Sequence, residues 1–179
     1  MDKRIARLMQ LMSQYDRGDV PRINHFLKVH NLAAVIGMME NLSEEEQFTL
    51  EAAAILHDIG IHVSEQKYGR CDGHLQEQEG PAEARRLLQE CGGFSQEQVE
   101  RICYLIAHHH TYTDIQGIDY QILVEADFLV NFYEDQLSPQ VIENVRQKVF
   151  KTATGQRLME DMYMTFYQKP LSQALKEEA

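Results

Sequence analysis

Apolar residues recur along this chain at the three- and four-residue spacing of an α-helix, with few breaks between one such run and the next. Ile5, Leu8, Met9 and Met12 form one stripe over residues 2–15. After a turn at Gly18-Asp19, Pro21 suits a first helical position and opens a second helix to about Glu40, with His25, Val29, Leu32, Ala33 and Ile36 on one face. Ser43 and Glu46 make a capping box for a third helix through Leu56, which Gly60 is expected to end. Residues 61–75, holding Gly69 and Gly73, read as a loop. A helix follows from near Gln76 to the Gly92-Gly93 break. Ser95 and Gln98 box the start of the next, which places Val99, Ile102, Cys103 and Ile106 on one face. A loop over 111–118 leads into a strongly apolar helix from Asp119 to Asp135. Ser138-Pro139 starts another, and residues 155–168 read as the last.

This pattern predicts an all-α fold, one helical bundle of about seven or eight helices. A single domain over 1–179 is expected, since no repeat, linker or low-complexity stretch interrupts the chain. Only 4 prolines and 10 glycines punctuate the sequence, which argues against a many-stranded sandwich.

Charge and composition narrow the function. With 28 acidic against 17 basic residues, the formal net charge is -11 and no basic stripe offsets it. Nucleic-acid and anionic-membrane partners are therefore not expected, because phosphate backbones are bound through clustered Lys and Arg. A small anionic substrate remains compatible if a metal ion supplies local positive charge, and so does a homodimer. No stretch approaches the roughly 20 apolar residues that cross a bilayer. The opening Met1-Asp2-Lys3-Arg4-Ile5 lacks the apolar core of a signal peptide, so a cytoplasmic location is expected. Cys71, Cys91 and Cys103 fit neither a disulfide framework nor a zinc pattern and read as reduced, structural residues.

Candidate chemistry lies where polar residues interrupt apolar faces. Asp127 has Leu123, Val124, Val130 and Asn131 at helical neighbour positions. A carboxylate buried there must be paired, protonated or metal-bound. Taken alone, a surface or salt-bridged Asp is the slightly favoured alternative. His57-Asp58 closes the apolar run Ala54-Ile55-Leu56 and offers one nitrogen and one oxygen ligand at a helix end. His25 shares its stripe with Val29 and Leu32, where a lone His is usually a satisfied core residue. Several such anomalies together favour a metal ion over independent coincidences.

The same residues carry a family resemblance. His25-Phe26-Leu27-Lys28-Val29 with Ala33 resembles the opening motif of the HD-domain superfamily of metal-dependent phosphohydrolases, and Leu56-His57-Asp58-Ile59-Gly60 resembles its naming doublet. Gly80-Pro81-Ala82-Glu83-Ala84 and Glu125-Ala126-Asp127-Phe128-Leu129 are similar to its middle and closing motifs, over a motif-bearing core of about residues 20–135. Helices over 138–168 would pack on that core.

The resemblance implies an all-helical fold and metal ligands at His25, His57, Asp58 and Asp127. It also implies hydrolysis of a nucleotide or other small phosphate ester by metal-activated water. The ion would be a divalent transition metal, with Fe, Mn, Co, Ni and Zn all compatible with imidazole and carboxylate ligands. Asp58 would also hold the attacking water. His109, chosen from His108-His109-His110 by helical phase with Ile102 and Ile106, would bind phosphate or protonate the leaving oxygen. Lys28, Gln76 and His110 are the candidate substrate-binding residues.

Two positions depart from the family pattern. Gln76 stands where two-metal members place a His, with His74 two residues away, so one tightly held ion is expected. Ile61, followed by His62, stands where active members often carry Lys or Glu. A non-enzymatic metal- or ligand-binding sensor is the first alternative, and a di-iron oxygenase the second.

Overall fold

The structure is a computed structural model that describes residues 1–164. Among these residues all the regular secondary structure is helical. The chain runs through α1 (Lys3–Tyr15), α2 (Val20–Met39), α3 (Glu44–Leu56), α4 (Gly60–Tyr68), α5 (Gly73–Cys91), α6 (Gln96–Ile106), α7 (Ile118–Glu134), α8 (Pro139–Val149) and α9 (Ala153–Met159). A π-helical turn, Glu160–Met164, follows α9.

Helices α3, α6 and α8 start where the capping signals in the sequence predict. Ser43 with Glu46 and Ser95 with Gln98 both form reciprocal capping boxes at α3 and α6. Asp19, Ser138 and Thr152 cap α2, α8 and α9 with side-chain oxygens. Each satisfies backbone N–H groups that the first helical turn leaves without partners.

Helix α3 is the axis of the fold. Leu50, Ala52, Ala53, Ala54, Ile55 and Leu56 are all fully buried, so α3 is enclosed on every side. It packs on α1, α2, α6 and α7, and α2 and α7 also lie against each other. Three consecutive alanines let those neighbours approach closely. The functional consequence is that the C-terminal end of α3, where His57 and Asp58 sit, opens toward α2, α6 and α7 together.

The stretch read as a loop over 61–75 is the main difference from expectation. Most of it is α4, and α5 begins at Gly73 rather than near Gln76. The glycines mark helix ends, not an irregular segment. Gly69 adopts φ 69° and caps α4 by donating its N–H to the Glu65 carbonyl. Asp72 accepts from the Leu75 N–H, which makes Gly73 the first residue of α5. Gly60 does not end α3 so much as open α4. A Cβ there would meet the Gln76 carbonyl oxygen at 2.6 Å and the Gly80 nitrogen at 2.9 Å, so α4 and α5 are in backbone contact.

Residues 150–155 are tied back to α7 by Glu125, whose side chain is fully buried. Its carboxylate accepts from the Gln121 side chain at 2.7 Å, from the Lys151 and Thr152 backbone at 2.6 and 2.9 Å, and from the Thr152 hydroxyl. The expected last helix over 155–168 starts two residues early, at Ala153, and its final part, 165–168, lies outside the described residues. Cys91 and Cys103 are buried and Cys71 half-buried, all three as free thiols. No described helix is long and apolar enough to cross a membrane.

Candidate metal centre

Four elements bring the predicted ligands to one place. His25 comes from the second turn of α2, His57 from the C-cap of α3, Asp58 from the α3–α4 junction and Asp127 from the middle of α7. His57 is completely buried, and Asp127 and His25 nearly so, whereas the Asp58 side chain is 21% exposed. His25 Nε2 lies 3.1 Å from His57 Nε2 and 3.2 Å from Asp127 Oδ1. His57 Nε2 lies 3.5 Å from Asp127 Oδ1, and both imidazoles lie 3.5 Å from Asp58 Oδ2.

The far side of each ring explains why these atoms converge. His25 Nδ1 donates to Glu134 Oε2 at 2.7 Å, and His57 Nδ1 donates to the Ala54 carbonyl at 2.9 Å. His109, in the turn after α6, donates from Nδ1 to the Ile106 carbonyl at 2.8 Å. Carboxylates and carbonyls only accept, so each Nδ1 carries a proton, and each ring in its neutral form presents an Nε2 lone pair inward. Outer-shell acceptors orient metal-binding histidines in this way.

These residues fit a divalent ion. Metal–ligand bonds of about 2.1 Å put neighbouring ligand atoms roughly 3.0–3.4 Å apart, close to the spacings around His25 and His57. His109 Nε2 is buried without any hydrogen-bond partner, 3.6 Å from Asp58 Oδ1. A lone pair buried in that state is costly unless a cation or a bound molecule meets it. His25, His57 and Asp58 could hold one ion, and Asp58, His109 and His110 form a second group that shares the same carboxylate.

Charge in the metal-free cluster follows from the packing. Burial opposes ionisation of His25, but the bond to Asp127 and the charges of Asp58 and Asp127 raise its pKa to about 9. His57 is raised against a like burial cost, chiefly by the Asp58 charge. Asp58 and Asp127 are correspondingly held below the usual carboxylate range by the histidines, again against burial. Without a metal, protons on the imidazoles balance the carboxylates.

The remaining candidates lie around this core. Gln76 is buried, with its amide nitrogen on the Cys71 carbonyl at 2.9 Å and its Oε1 3.1 Å from His110 Nε2. Because that amide oxygen accepts, His110 carries its proton on Nε2. Burial, with the His109 ring beside it, lowers the His110 pKa to about 4, so the ring is neutral at ordinary pH. Glu77 fixes the same turn by accepting from the His110 N–H and the Thr111 hydroxyl, each at 3.0 Å.

Lys28 pairs with Glu134. His108 points away from the cluster, bonded to the Tyr104 carbonyl and stacked on the Tyr104 ring. His74 is exposed in the first turn of α5 and belongs to neither metal-capable group. Ile61 brings no polar group, and His62 pairs with the buried Asp16 at 3.0 Å and with none of the candidate ligands.

Sequence reading missed Glu134. A signal was present: it stands seven residues after Asp127, on the same face of α7, while Lys28 stands three after His25 on α2. The backbone acceptors Ala54 and Ile106 leave no mark in a sequence.

The helical frame and the inward-facing imidazoles and carboxylates define a class of protein built around a His/Asp centre at the end of a buried helix. The family model described as HD domain matches residues 22–147, and the chain belongs to the HD-domain family. Among solved structures, it is similar to a protein described as a predicted HD superfamily hydrolase from an uncultured Thermotogales bacterium. The TM-score is 0.68 at 24% identity, over 97% of this chain and 92% of that one. No curated protein matches the chain.

Proposed function

We propose that this protein is a metal-dependent phosphohydrolase acting on a nucleotide or other small phosphate ester, with one tightly bound divalent transition metal. The observation that carries this reading is the convergence of His25, His57 and His109 Nε2 atoms on Asp58 and Asp127, with His109 Nε2 buried and unpartnered. His25, His57, Asp58 and Asp127 would hold the ion. When bound, a divalent ion lowers the pKa of water and polarises a phosphoryl oxygen.

The chain's own groups divide the remaining work. Asp58 is the most exposed of the four and accepts a hydrogen bond from the attacking water through the oxygen it turns to His109. His109 handles a proton at Nε2 while its Nδ1–H stays on Ile106, so proton transfer needs no tautomer exchange. His110 is a neutral donor beside Gln76, and these two with Lys28 supply polar contacts to the phosphate. Engagement of His110 Nε2 by Gln76 supports one ion over two.

The test is a panel of phosphomonoesters and nucleotides assayed after chelation and after return of Mn, Co or Ni. Metal-dependent turnover is expected, with Asp58→Asn losing turnover far more than it loses thermal stability. A holoprotein that binds its ion tightly and turns over nothing in the panel is instead a binding module. Ile61, which puts an apolar side chain where active relatives often place Lys or Glu, favours that second reading.

A further inference from the structure

We infer that Glu134 is a positioning residue for the metal centre, the carboxylate that fixes His25 in its ligand-ready orientation. This rests on the proposal that His25 binds a metal ion. His25 is held from both ring nitrogens by a single helix: Asp127 stands 3.2 Å from Nε2 and Glu134 2.7 Å from Nδ1, two turns apart on α7. Among the described residues, Glu134 is the side chain that hydrogen-bonds the outward nitrogen of that ring, whereas His57 and His109 rely on backbone carbonyls of their own local turns. A carbonyl three residues away cannot be lost by mutation, but the Glu134 carboxylate can.

The placement of the carboxylate is itself secured. Glu134 is the last residue of α7, with its side chain 27% exposed. Its Oε1 pairs with Lys28, one turn after His25 on α2, and its Oε2 accepts the hydrogen bond from His25 Nδ1–H. Lys28 thus stands behind Glu134, and the ion pair closes the α2–α7 contact at the point where His25 leaves α2. Removing the acceptor frees the imidazole to rotate about its side-chain torsions and to carry its proton on either nitrogen. Either change takes the lone pair away from the site, and outer-shell partners of this kind contribute about 10- to 100-fold in metal affinity.

The experiment measures Co(II) affinity by chelator competition and records the visible spectrum of the Co(II) protein. Wild type, Glu134→Ala, Glu134→Gln and Lys28→Ala are compared, with metal-free melting curves for each. Glu134→Ala is expected to weaken Co(II) binding by about 10- to 100-fold and to alter the ligand-field spectrum. Glu134→Gln, whose amide oxygen still accepts from Nδ1–H, should recover most of the affinity and the wild-type spectrum. Lys28→Ala removes the ion pair but leaves the acceptor, and should keep a Co(II) affinity and spectrum near those of wild type. Should Glu134→Ala fail to fold, Glu134→Met keeps the aliphatic stem, removes the carboxylate and gives the same comparison, with Lys28→Ala accounting for the lost ion pair. Unchanged affinity and spectrum in the Ala or Met variant overturn the inference while leaving the metal centre standing. Equal losses in Lys28→Ala and Glu134→Ala overturn it in favour of a merely structural ion pair. A wild-type protein that binds no Co(II), or binds it undiminished in His57→Ala, overturns the metal reading and this inference with it.

Discussion

His25 and His57 face each other through their Nε2 atoms at 3.1 Å, an arrangement two neutral, inward lone pairs cannot keep without a positive charge between or upon them. In the metal-free protein that charge is a proton, and the carboxylates around it lift the His25 pKa to about 9. Binding an ion must expel it, so apparent metal affinity rises with pH up to about 9, by roughly tenfold per unit for each proton released. The sign for stability is the reverse. A histidine raised above its ordinary value of 6.5 stabilises the metal-free fold fully below that pH, and the contribution disappears as pH rises through about 9. Chelator-buffered titrations, with melts of metal-free protein across the same range, check both halves. Affinity independent of pH between 6.5 and 9 contradicts the assignment.

Gly60 carries a steric prediction. Its missing Cβ leaves room for the Gln76 carbonyl at 2.6 Å and the Gly80 nitrogen at 2.9 Å, and both obstacles are backbone. Gly60→Ala therefore forces α4 and α5 apart and is expected to cost about 1–3 kcal/mol. Asp58 lies two residues upstream and Gln76 sits on the displaced helix, so metal affinity should fall as well. Gly37→Ala is the control, because the nearest atom there is the movable end of the Gln47 side chain, and its melting temperature should drop less.

Why some of this was legible in the sequence and some not comes down to the range of each interaction. Capping boxes at Ser43 and Ser95 are local, so both helix starts follow from four consecutive residues. His25, His57 and Asp127 stand out because each interrupts an apolar stripe, a contrast that periodicity reveals. Helix α4 was lost because Gly69 and Gly73 are separators between two helices, yet two nearby glycines read as one irregular loop. Glu125 was invisible for a different reason. It sits two residues from Asp127 on the same apolar helix, and only the return of residues 150–155 against α7 supplies its donors.

That distinction makes Glu125 a test of structure against chemistry. Burial raises its pKa, while the bonds from Lys151 and Thr152 oppose the shift. Glu125→Ala would leave the buried Thr152 N–H and hydroxyl, and the part-buried Lys151 N–H, without their acceptor, at about 1–3 kcal/mol for each buried group before relaxation. A loss of roughly 3 kcal/mol or more in unfolding free energy is expected, with metal stoichiometry unchanged in the protein that remains folded. Urea denaturation and elemental analysis separate these. Loss of the ion at wild-type stability would instead move Glu125 into the centre and displace the structural account.

His109 gives the sharpest division between holding the ion and using it. Its Nε2 is 3.6 Å from Asp58 Oδ1, the oxygen other than the one nearest His25 and His57, and it has no hydrogen-bond partner among the described residues. The proposal places it beside the ion and not among the four core ligands. His109→Ala should then retain most of the bound metal, while kcat falls by about 10²- to 10⁴-fold, the range for a lost proton-transfer group. His57→Ala should lose metal and activity together, and its melting temperature should fall because Asp58 and Asp127 each lose one of their imidazole partners. Elemental analysis and single-turnover kinetics on the two variants distinguish the roles. If His109→Ala sheds its ion as completely as His57→Ala, His109 is a ligand, Asp58 bridges to it, and the centre must be redrawn around three imidazoles.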